Sequence, residues 1–348
     1  MSDDLPINVA VIGVGAFGRN HARVYHQLQQ TGKVRLVGVM DPDTARADAV
    51  AREFGCRAFG SIDQMLTTHS EIQAASVAVP TVLHLDVART LMESGVDVLI
   101  EKPVASTLAE TDELLKLAKQ HARIAQVGHL ERFNPAVRAT LPLITKPMFF
   151  EVHRLSVFTP RSLDVDVVLD LMIHDLDIVL AFVNSPVKEI RAVGLPILSG
   201  KVDIANVRLE FESGCVANFT ASRVSTERVR KLRFFQPGQY VSVDYGRQDV
   251  IVFSVGATAG LPAQPSVNPK IQMAKPPISE EEPLQAEIRS FLEAVQKRSR
   301  PVVSLEEGRR ALELALAILA EIHLHAGRIG VERQIHHGDT EARRKAGD

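Results

Sequence analysis

Three glycines in the run Gly13-Val14-Gly15-Ala16-Phe17-Gly18 stand directly between a β-branched stretch, INVAVIG, and an amphipathic stretch that begins at Ala16. That placement restricts the fold more than any other feature of the chain. Gly13 permits the tight turn out of the strand, Gly15 lets the main chain approach a pyrophosphate, and Gly18 lets the helix pack closely on the strand. The phosphates then lie at the helix N-terminus, where unpaired amides collect. Ala16 and Phe17 belong to the same expected cofactor loop. The next β-rich run, VRLVGVMD, ends at Asp41. An acidic side chain at that point accepts hydrogen bonds from both ribose hydroxyls and opposes a 2′-phosphate by like charge. NAD is therefore expected over NADP, with nearby Arg46 softening the discrimination.

Residues 7 to 128 continue in the same pattern, short apolar runs (ASVAVP, DVLIE, IAQVG) alternating with helix-period segments such as Ala16 to Gln30 and Thr107 to His121, the latter N-capped by Ser106 or Thr107. This alternation predicts an α/β Rossmann domain, a doubly wound parallel sheet with helices on both faces. From residue 129 the period changes to two in FFEVHRLSVF, VDIANVRLEFE, CVANFTASRV, RKLRFF and YVSVDYG, with one strong helix over 167–183. A second, α+β domain with a large, mostly antiparallel open sheet is expected there. The Pro- and Gly-rich stretch 256–283 predicts no regular element. Helices are expected over 280–297 and 304–326. The expected division is a nucleotide domain over 1–128, a substrate and oligomerisation domain over 129–303, a helix over 304–326 packing back on the first, and a frayed tail over 331–348.

At 348 residues the chain is long for one core, and its 45% hydrophobic and 24% charged composition is that of a globular protein. A net charge of −2 offers no general attraction for nucleic acid. The N-terminal segment is acidic and its apolar run stops at Gly13, so it reads neither as a signal peptide nor as a membrane span. Two cysteines, Cys56 and Cys215, make no disulfide framework, and a cytoplasmic location is expected.

Two further motifs carry chemistry. IEKPV puts Glu101, Lys102 and Pro103 at the end of a strand, on the edge where open α/β sheets bind ligands. There the Lys102 ammonium can hydrogen-bond a substrate hydroxyl and steady the alkoxide, or exchange a proton; alone, it also reads as an ordinary solvated lysine. In VVLDLMIHDLDIVLAFV, Asp170 and His174 are four residues apart and share one helix face, with Asp177 three further on. An imidazole beside a carboxylate suits a base near neutral pH, while a solvated helix face explains the same residues blandly. A metal role for Asp170, His174 and Asp177 is disfavoured because nicotinamide already supplies the electron chemistry, and no metal is expected.

Taken in order, GVGAFGRNHARVY, Asp41, VPTVLH (79 to 84), IEKPVAST, VGHLERFNPAV (127 to 137) and the Asp170/His174 pair resemble the Gfo/Idh/MocA family of NAD(P)-dependent oxidoreductases over about residues 7 to 330. The resemblance implies that Lys102 and His174 are catalytic, that Asp170 supports the histidine, that Pro80, Thr81, His84 and Glu101 border the cofactor, and that the Lys102–Pro103 peptide is cis. Which of Lys102 and His174 is the base stays open. Met172 departs from the glycine common between the family's Asp and His, and DVDVV from its glycine run, which puts the substrate class in question. Within the family, RFNPA, FTPRS and DVDVVLDLMIHDLDI are similar to members that oxidise the C3 hydroxyl of a UDP-N-acetylhexosamine, whose keto product an aminotransferase converts toward a 3-amino lipid A precursor. A nucleotide sugar needs cationic anchors for its diphosphate, for which Arg132, Arg154 and Arg161 are the candidates, with Asn134 and His153 beside them. The rivals are a free polyol or sugar dehydrogenase of the same family and a non-catalytic NAD-binding sensor. Family analogy implies a homodimer or homotetramer.

Overall fold

The computed structural model describes residues 6–159, 163–255 and 271–328. The chain folds as two compact units, Met1–Phe133 with Glu281–Leu312, and Asn134–Glu280 with Glu313–Asp348.

In the first unit the strands β1 (Ile7–Ile12), β2 (Val34–Met40), β3 (Arg57–Phe59), β4 (Ala74–Val77), β5 (Asp97–Glu101) and β6 (Ala125–Gly128) alternate with the helices α1 (Ala16–Leu28), α2 (Thr44–Phe54), α3 (Ile62–Thr68), α4 (His84–Glu93) and α5 (Leu108–Gln120). All six strands pair in parallel, in the order β3-β2-β1-β4-β5-β6. The order reverses between β1 and β4, the switch point where doubly wound sheets bind ligands. Strand after strand is buried on both faces, so β1 and β4 read as nearly unbroken apolar runs. β3 is three residues long and begins with an exposed Arg57, too short for a period to declare itself. Thr107 is the cap of α5, its hydroxyl accepting from the Glu110 amide in a complete capping box.

The second unit opens with α6 (Pro135–Thr140) and continues through β7 (Phe149–Val157), α7 (Ile173–Val183) and β8 (Val187–Leu195), β9 (Ile204–Phe211), β10 (Val216–Ser225), β11 (Val229–Gln236), β12 (Gln239–Asp244), β13 (Asp249–Val255) and β14 (Ile271–Ala274). These strands form one eight-stranded sheet, β14-β13-β12-β11-β7-β10-β9-β8, antiparallel except where β10 runs parallel to β7. Alternation is visible in β9, whose Ala205, Val207, Leu209 and Phe211 are buried while Asn206 and Arg208 are not.

Three expectations need correction. Residues 271–274 form a strand, although the stretch around them predicted nothing regular; all four side chains of β14 are exposed, and pairing to β13, not burial, makes them a strand. The helix expected over 167–183 begins instead with a π-helical turn, Val168–Met172, closed by the Ile173 amide donating to the Val168 carbonyl. Residues 281–303, expected with the sheet domain, lie in the first unit. There α8 (Pro283–Lys297) buries Leu284, Ile288, Phe291 and Val295 in the same apolar cluster as Val9, Val11, Tyr25 and Leu99. The last helix, α9 (Leu305–Arg328), contributes Leu305–Leu312 to the first unit and its remainder to the second.

Polar groups also sit in the second core. Arg154, 3% exposed on β7, donates from Nε and Nη2 to the two oxygens of Asp175 on α7 at 2.6 and 2.9 Å, and its guanidinium lies 5.3 Å from the Tyr245 ring centre. A forked pair of this kind has strict geometry, and breaking one side leaves a buried charge. Arg154→Met is therefore expected to cost about 3–5 kcal/mol in denaturant unfolding, with Asp175→Leu in the same chain recovering most of the loss. A single variant as stable as wild type would show that the pair does not support the fold.

Candidate cofactor and substrate site

The turn after β1 is set by backbone contact. Gly13 has φ +82°, donates its amide to the Met40 carbonyl at 2.7 Å, and would place a Cβ 2.7 Å from the Ala78 carbonyl oxygen. A Cβ on Gly18 would fall 1.8 Å from the Gly13 oxygen, so α1 approaches the strand as only glycine allows. Gly15, the N-cap of α1, differs from both. Nothing lies within 4 Å of where its Cβ would stand, and α1 has no side-chain cap. The first-turn amides thus face an open cradle of the kind a pyrophosphate fills. Ala16 and Phe17 are exposed beside it.

Asp41 closes the turn from the neighbouring strand. Its side chain is buried, with Oδ2 accepting the Val14 amide at 2.9 Å and Oδ1 the Asp43 amide at 3.0 Å. Arg46 lies 3.3 Å from both oxygens. One carboxylate therefore anchors the glycine turn and carries a negative charge at the end of β2. The loop, the buried acid and the uncapped helix start fit a dinucleotide.

Beyond β4 the chain turns at Pro80 into a short 3-10 segment, Thr81–Leu83, with Pro80 exposed and Thr81 half-buried. His84 is buried behind them. Its Nδ1 lies 3.1 and 3.3 Å from the Pro103 and Val104 carbonyls and its Nε2 3.0 Å from the Val79 carbonyl. Burial lowers its pKa from the ordinary histidine value, outweighing the opposite pull of those carbonyls. With a single N–H to give, the uncharged ring donates to carbonyls on one side only, and it sits between the segment after Lys102 and the end of β4. The Lys102–Pro103 peptide is cis. Lys102 is half-buried, and its amide donates to the Glu101 carboxylate at 3.3 Å.

The expected substrate residues fall out differently. Arg132 donates to Glu307 at 2.7 Å in a pair that is mostly shielded from solvent. Asn134 caps α6, accepting from the Ala136 amide at 3.0 Å and donating to the Tyr245 carbonyl at 3.2 Å. Arg154 is committed to Asp175. His153 projects from the opposite face of β7 to Arg154, half-exposed. Arg161 lies outside the described residues. Asp170 sits in the π-helical turn and His174 in the first turn of α7; both are partly exposed, whereas Asp175 and Asp177 are buried. The reading of Asp177 as a member of the same wet face therefore does not hold, since its side chain is packed inward.

Two residues with chemistry escaped the sequence reading. His21 is buried on α1, and Glu287 is buried on α8. Each left a signal, His21 falling in register with the inward Gly18, Ala22 and Tyr25, and Glu287 interrupting the apolar stripe Leu284, Ile288, Phe291.

Comparison with known proteins follows the same division. Residues 7–129 match the profile of an oxidoreductase family with an NAD-binding Rossmann fold, and residues 149–236 match that of the GFO/IDH/MocA C-terminal domain. UDP-N-acetylglucosamine 3-dehydrogenase of Acidithiobacillus ferrooxidans is 37% identical over 314 residues, 90% of this chain and 96% of that one. Its solved structure superposes with a TM-score of 0.82, covering 91% of this chain and 98% of the other at 34% identity. The scyllo-inositol 2-dehydrogenase (NAD(+)) of Bacillus subtilis is 28% identical over 63% of this chain and 68% of its own. Levoglucosan dehydrogenase in complex with NADH shares the fold, with a TM-score of 0.80 at 16% identity over 91% of this chain and 97% of its own. The chain is thus an oxidoreductase with an NAD-binding Rossmann domain, and it belongs to the Gfo/Idh/MocA family.

Proposed function

We propose that the protein oxidises the C3 hydroxyl of a UDP-N-acetylhexosamine, converting UDP-N-acetylglucosamine to its 3-keto form with NAD. The observation that carries this reading is the end-to-end match to the Acidithiobacillus enzyme. NAD, when bound, accepts the hydride from the sugar carbon. In this reading the Gly13–Gly18 turn and the start of α1 receive the pyrophosphate, and Asp41 takes the ribose hydroxyls. Pro80, Thr81 and Glu101 border the nicotinamide half, and His84 holds the Lys102 segment against β4.

Lys102 and His174 act on the reacting hydroxyl, one accepting its proton and the other holding the oxygen by a hydrogen bond. Asp170 orients the imidazole. A π-turn under Asp170 supports that assignment, because such turns break helical regularity and recur at functional sites. Asn134 and His153 belong to the proposed substrate contacts, and the diphosphate requires cations, for which Arg161 is the remaining candidate. We place the enzyme in the cytoplasm as a homodimer or homotetramer, supplying a keto sugar for amination toward a lipid A precursor. Among the described residues no helix is long and apolar enough to cross a membrane, and the net charge of −2 gives nucleic acid no general attraction.

A second reading, oxidation of a free polyol, is favoured by one observation. Arg132 and Arg154 are paired with Glu307 and Asp175, and an uncharged substrate has no need of them. NADH formation separates the two readings: turnover is expected with NAD and UDP-N-acetylglucosamine and not with myo- or scyllo-inositol, and the reverse result rejects the nucleotide sugar.

Lys102→Met is expected to lower kcat by about 10²- to 10⁴-fold with NAD affinity nearly unchanged in a fluorescence titration. Retained turnover removes Lys102 from the chemistry. Asp41→Asn keeps a hydrogen-bonding oxygen for the glycine turn and removes the charge. It is expected to narrow the NAD over NADP preference in kcat/KM by about tenfold, or 1.4 kcal/mol, and an unaltered ratio rejects the role of that charge.

A further inference from the structure

Three titratable side chains meet inside the first unit: His21 from α1, Glu101 from the end of β5 and Glu287 from α8. A ring nitrogen and one oxygen from each carboxyl group all lie within 4.8 Å of one another. His21 and Glu287 are both 0% exposed. The two acids are served unequally. Glu101 Oε1 is 2.8 Å from His21 Nε2, and its Oε2 accepts the Lys102 amide. Neither oxygen of Glu287 has a hydrogen-bond partner among the described residues. Two adjacent carboxylates, one half-buried and the other fully buried with no donor, would be strongly unfavourable as a pair of anions.

Either a proton or a divalent cation relieves that charge, and the distances favour the proton. Nitrogen and oxygen donors bound to one ion at their usual lengths sit roughly 3.0 to 3.4 Å apart. His21 and Glu101 are closer than that, at a direct hydrogen-bond distance. The neighbouring chain is complete without an ion. Tyr25 Oη is 2.9 Å from Ser76 Oγ, which is 3.0 Å from His21 Nδ1. Burial raises the pKa of the Tyr25 phenol, so it stays a donor. With Tyr25 donating to Ser76 and Ser76 to Nδ1, the Nε2 hydrogen is left for Glu101, a tautomer assigned from the network.

We infer that Glu287 is a positioning residue held as a neutral carboxylic acid, which with His21 keeps the Glu101 side chain, and through it the Lys102 amide, in place. The role for turnover rests on the catalytic reading of Lys102; the neutral state of Glu287 does not. α1 brings His21 and Tyr25, β4 brings Ser76, and β5 brings Glu101 with Lys102 after it. Gln126 on β6 donates to the Glu287 main-chain oxygen at 3.2 Å, and from α4 His84 feels the Glu101 charge. Burial first, and then the Glu101 charge, raise the Glu287 pKa well above the ordinary glutamate value. A group raised on folding contributes stability that is complete below its unfolded pKa and is lost as pH climbs through the folded one. Ionisation of Glu287 as pH climbs would thus set a second negative charge against Glu101 and loosen the Lys102 segment.

Glu287→Gln keeps the shape and carries no charge. Between about pH 6 and pH 9, wild type is expected to lose Tm relative to Glu287→Gln, and its kcat is expected to fall relative to that variant by up to about tenfold per unit above the Glu287 ionisation. Glutamine is expected to support turnover at neutral pH where Glu287→Ala does not. Parallel Tm curves for wild type and Glu287→Gln overturn the proposal, as does a stoichiometric divalent metal in the purified wild type whose removal by chelator lowers Tm. Should the glutamine variant fail to fold, infrared difference spectra of the wild-type protein decide, because the absence of a protonated carboxyl band at neutral pH rejects a neutral Glu287. If Lys102→Met stays active while the Tm curves still diverge, the catalytic reading of Lys102 fails and the neutral acid stands.

Discussion

The contact between Gly18 and the carbonyl of Gly13 governs the first unit. A helix that comes so near the turn that a Cβ on residue 18 would sit at 1.8 Å can carry only glycine there, and the turn itself, with φ +82° and a Cβ 2.7 Å from the Ala78 oxygen, needs glycine at 13. The turn must then be held by something other than side-chain packing. Here the Asp41 carboxylate receives the Val14 amide while the Gly13 amide reaches Met40, so β2 supports the turn at two points. A single acidic residue therefore fixes the geometry of the loop and presents charge to whatever the loop binds. Its two oxygens accept the Val14 and Asp43 amides and stand 3.3 Å from Arg46, so most of the about four acceptor sites of the carboxylate serve the loop itself.

The arginines follow the opposite logic. Each guanidinium offers five donors in a fixed fork, so a well-placed acid occupies much of it. Arg154 gives two donors to Asp175 and its face to Tyr245. Arg132 meets Glu307 under partial cover. Buried pairs of this type are retained where losing one partner is costly, whether or not they add net stability. Their presence in segments that the family pattern marks for substrate means that position in the chain and availability of charge are separate questions. Only the acid that each guanidinium meets in the folded chain distinguishes them.

Much of the fold was legible because burial imposes period. β1, β2, β5 and β6 of the parallel sheet are apolar runs ended by glycine or by charge, β4 is one that runs on to Pro80, and the strands β7, β9, β10, β11 and β12 alternate. Apart from β13, which alternates, what stayed hidden lacked that signature. β14 is exposed along its length, β3 has three residues, and β8 keeps most of its side chains half-exposed, so none shows an inward face in sequence. The π-turn before α7 is likewise silent, because inserting one residue into a helical turn alters hydrogen bonding without changing composition. The glycine loop, Asp41, the strand-end lysine and the Asp170/His174 spacing were readable as residue types. The placing of His84 among three carbonyls and the pairing of the arginines with acids were not, since all those partners but Val79 lie far away along the chain.

Glu287 shows how such distant partners enter. It arrives on α8, more than a hundred residues after the strand whose Glu101 it faces, and it is carried inward by Leu284, Ile288 and Phe291 on the same helix. The apolar residues bury the helix, and the acid is buried with them. A hydrophobic residue there would serve packing better, because an uncharged carboxyl group still loses its hydration on burial. The cost is tolerable only if the group does something that packing cannot. Next to Glu101, a proton-bearing acid adds bulk and a potential donor without adding charge, which no apolar side chain and no carboxylate can do at once. The late helix therefore supplies more than core to the Rossmann unit: it sets an acid beside the polar chain that runs from Tyr25 through Ser76 and His21 to Glu101 at the strand end.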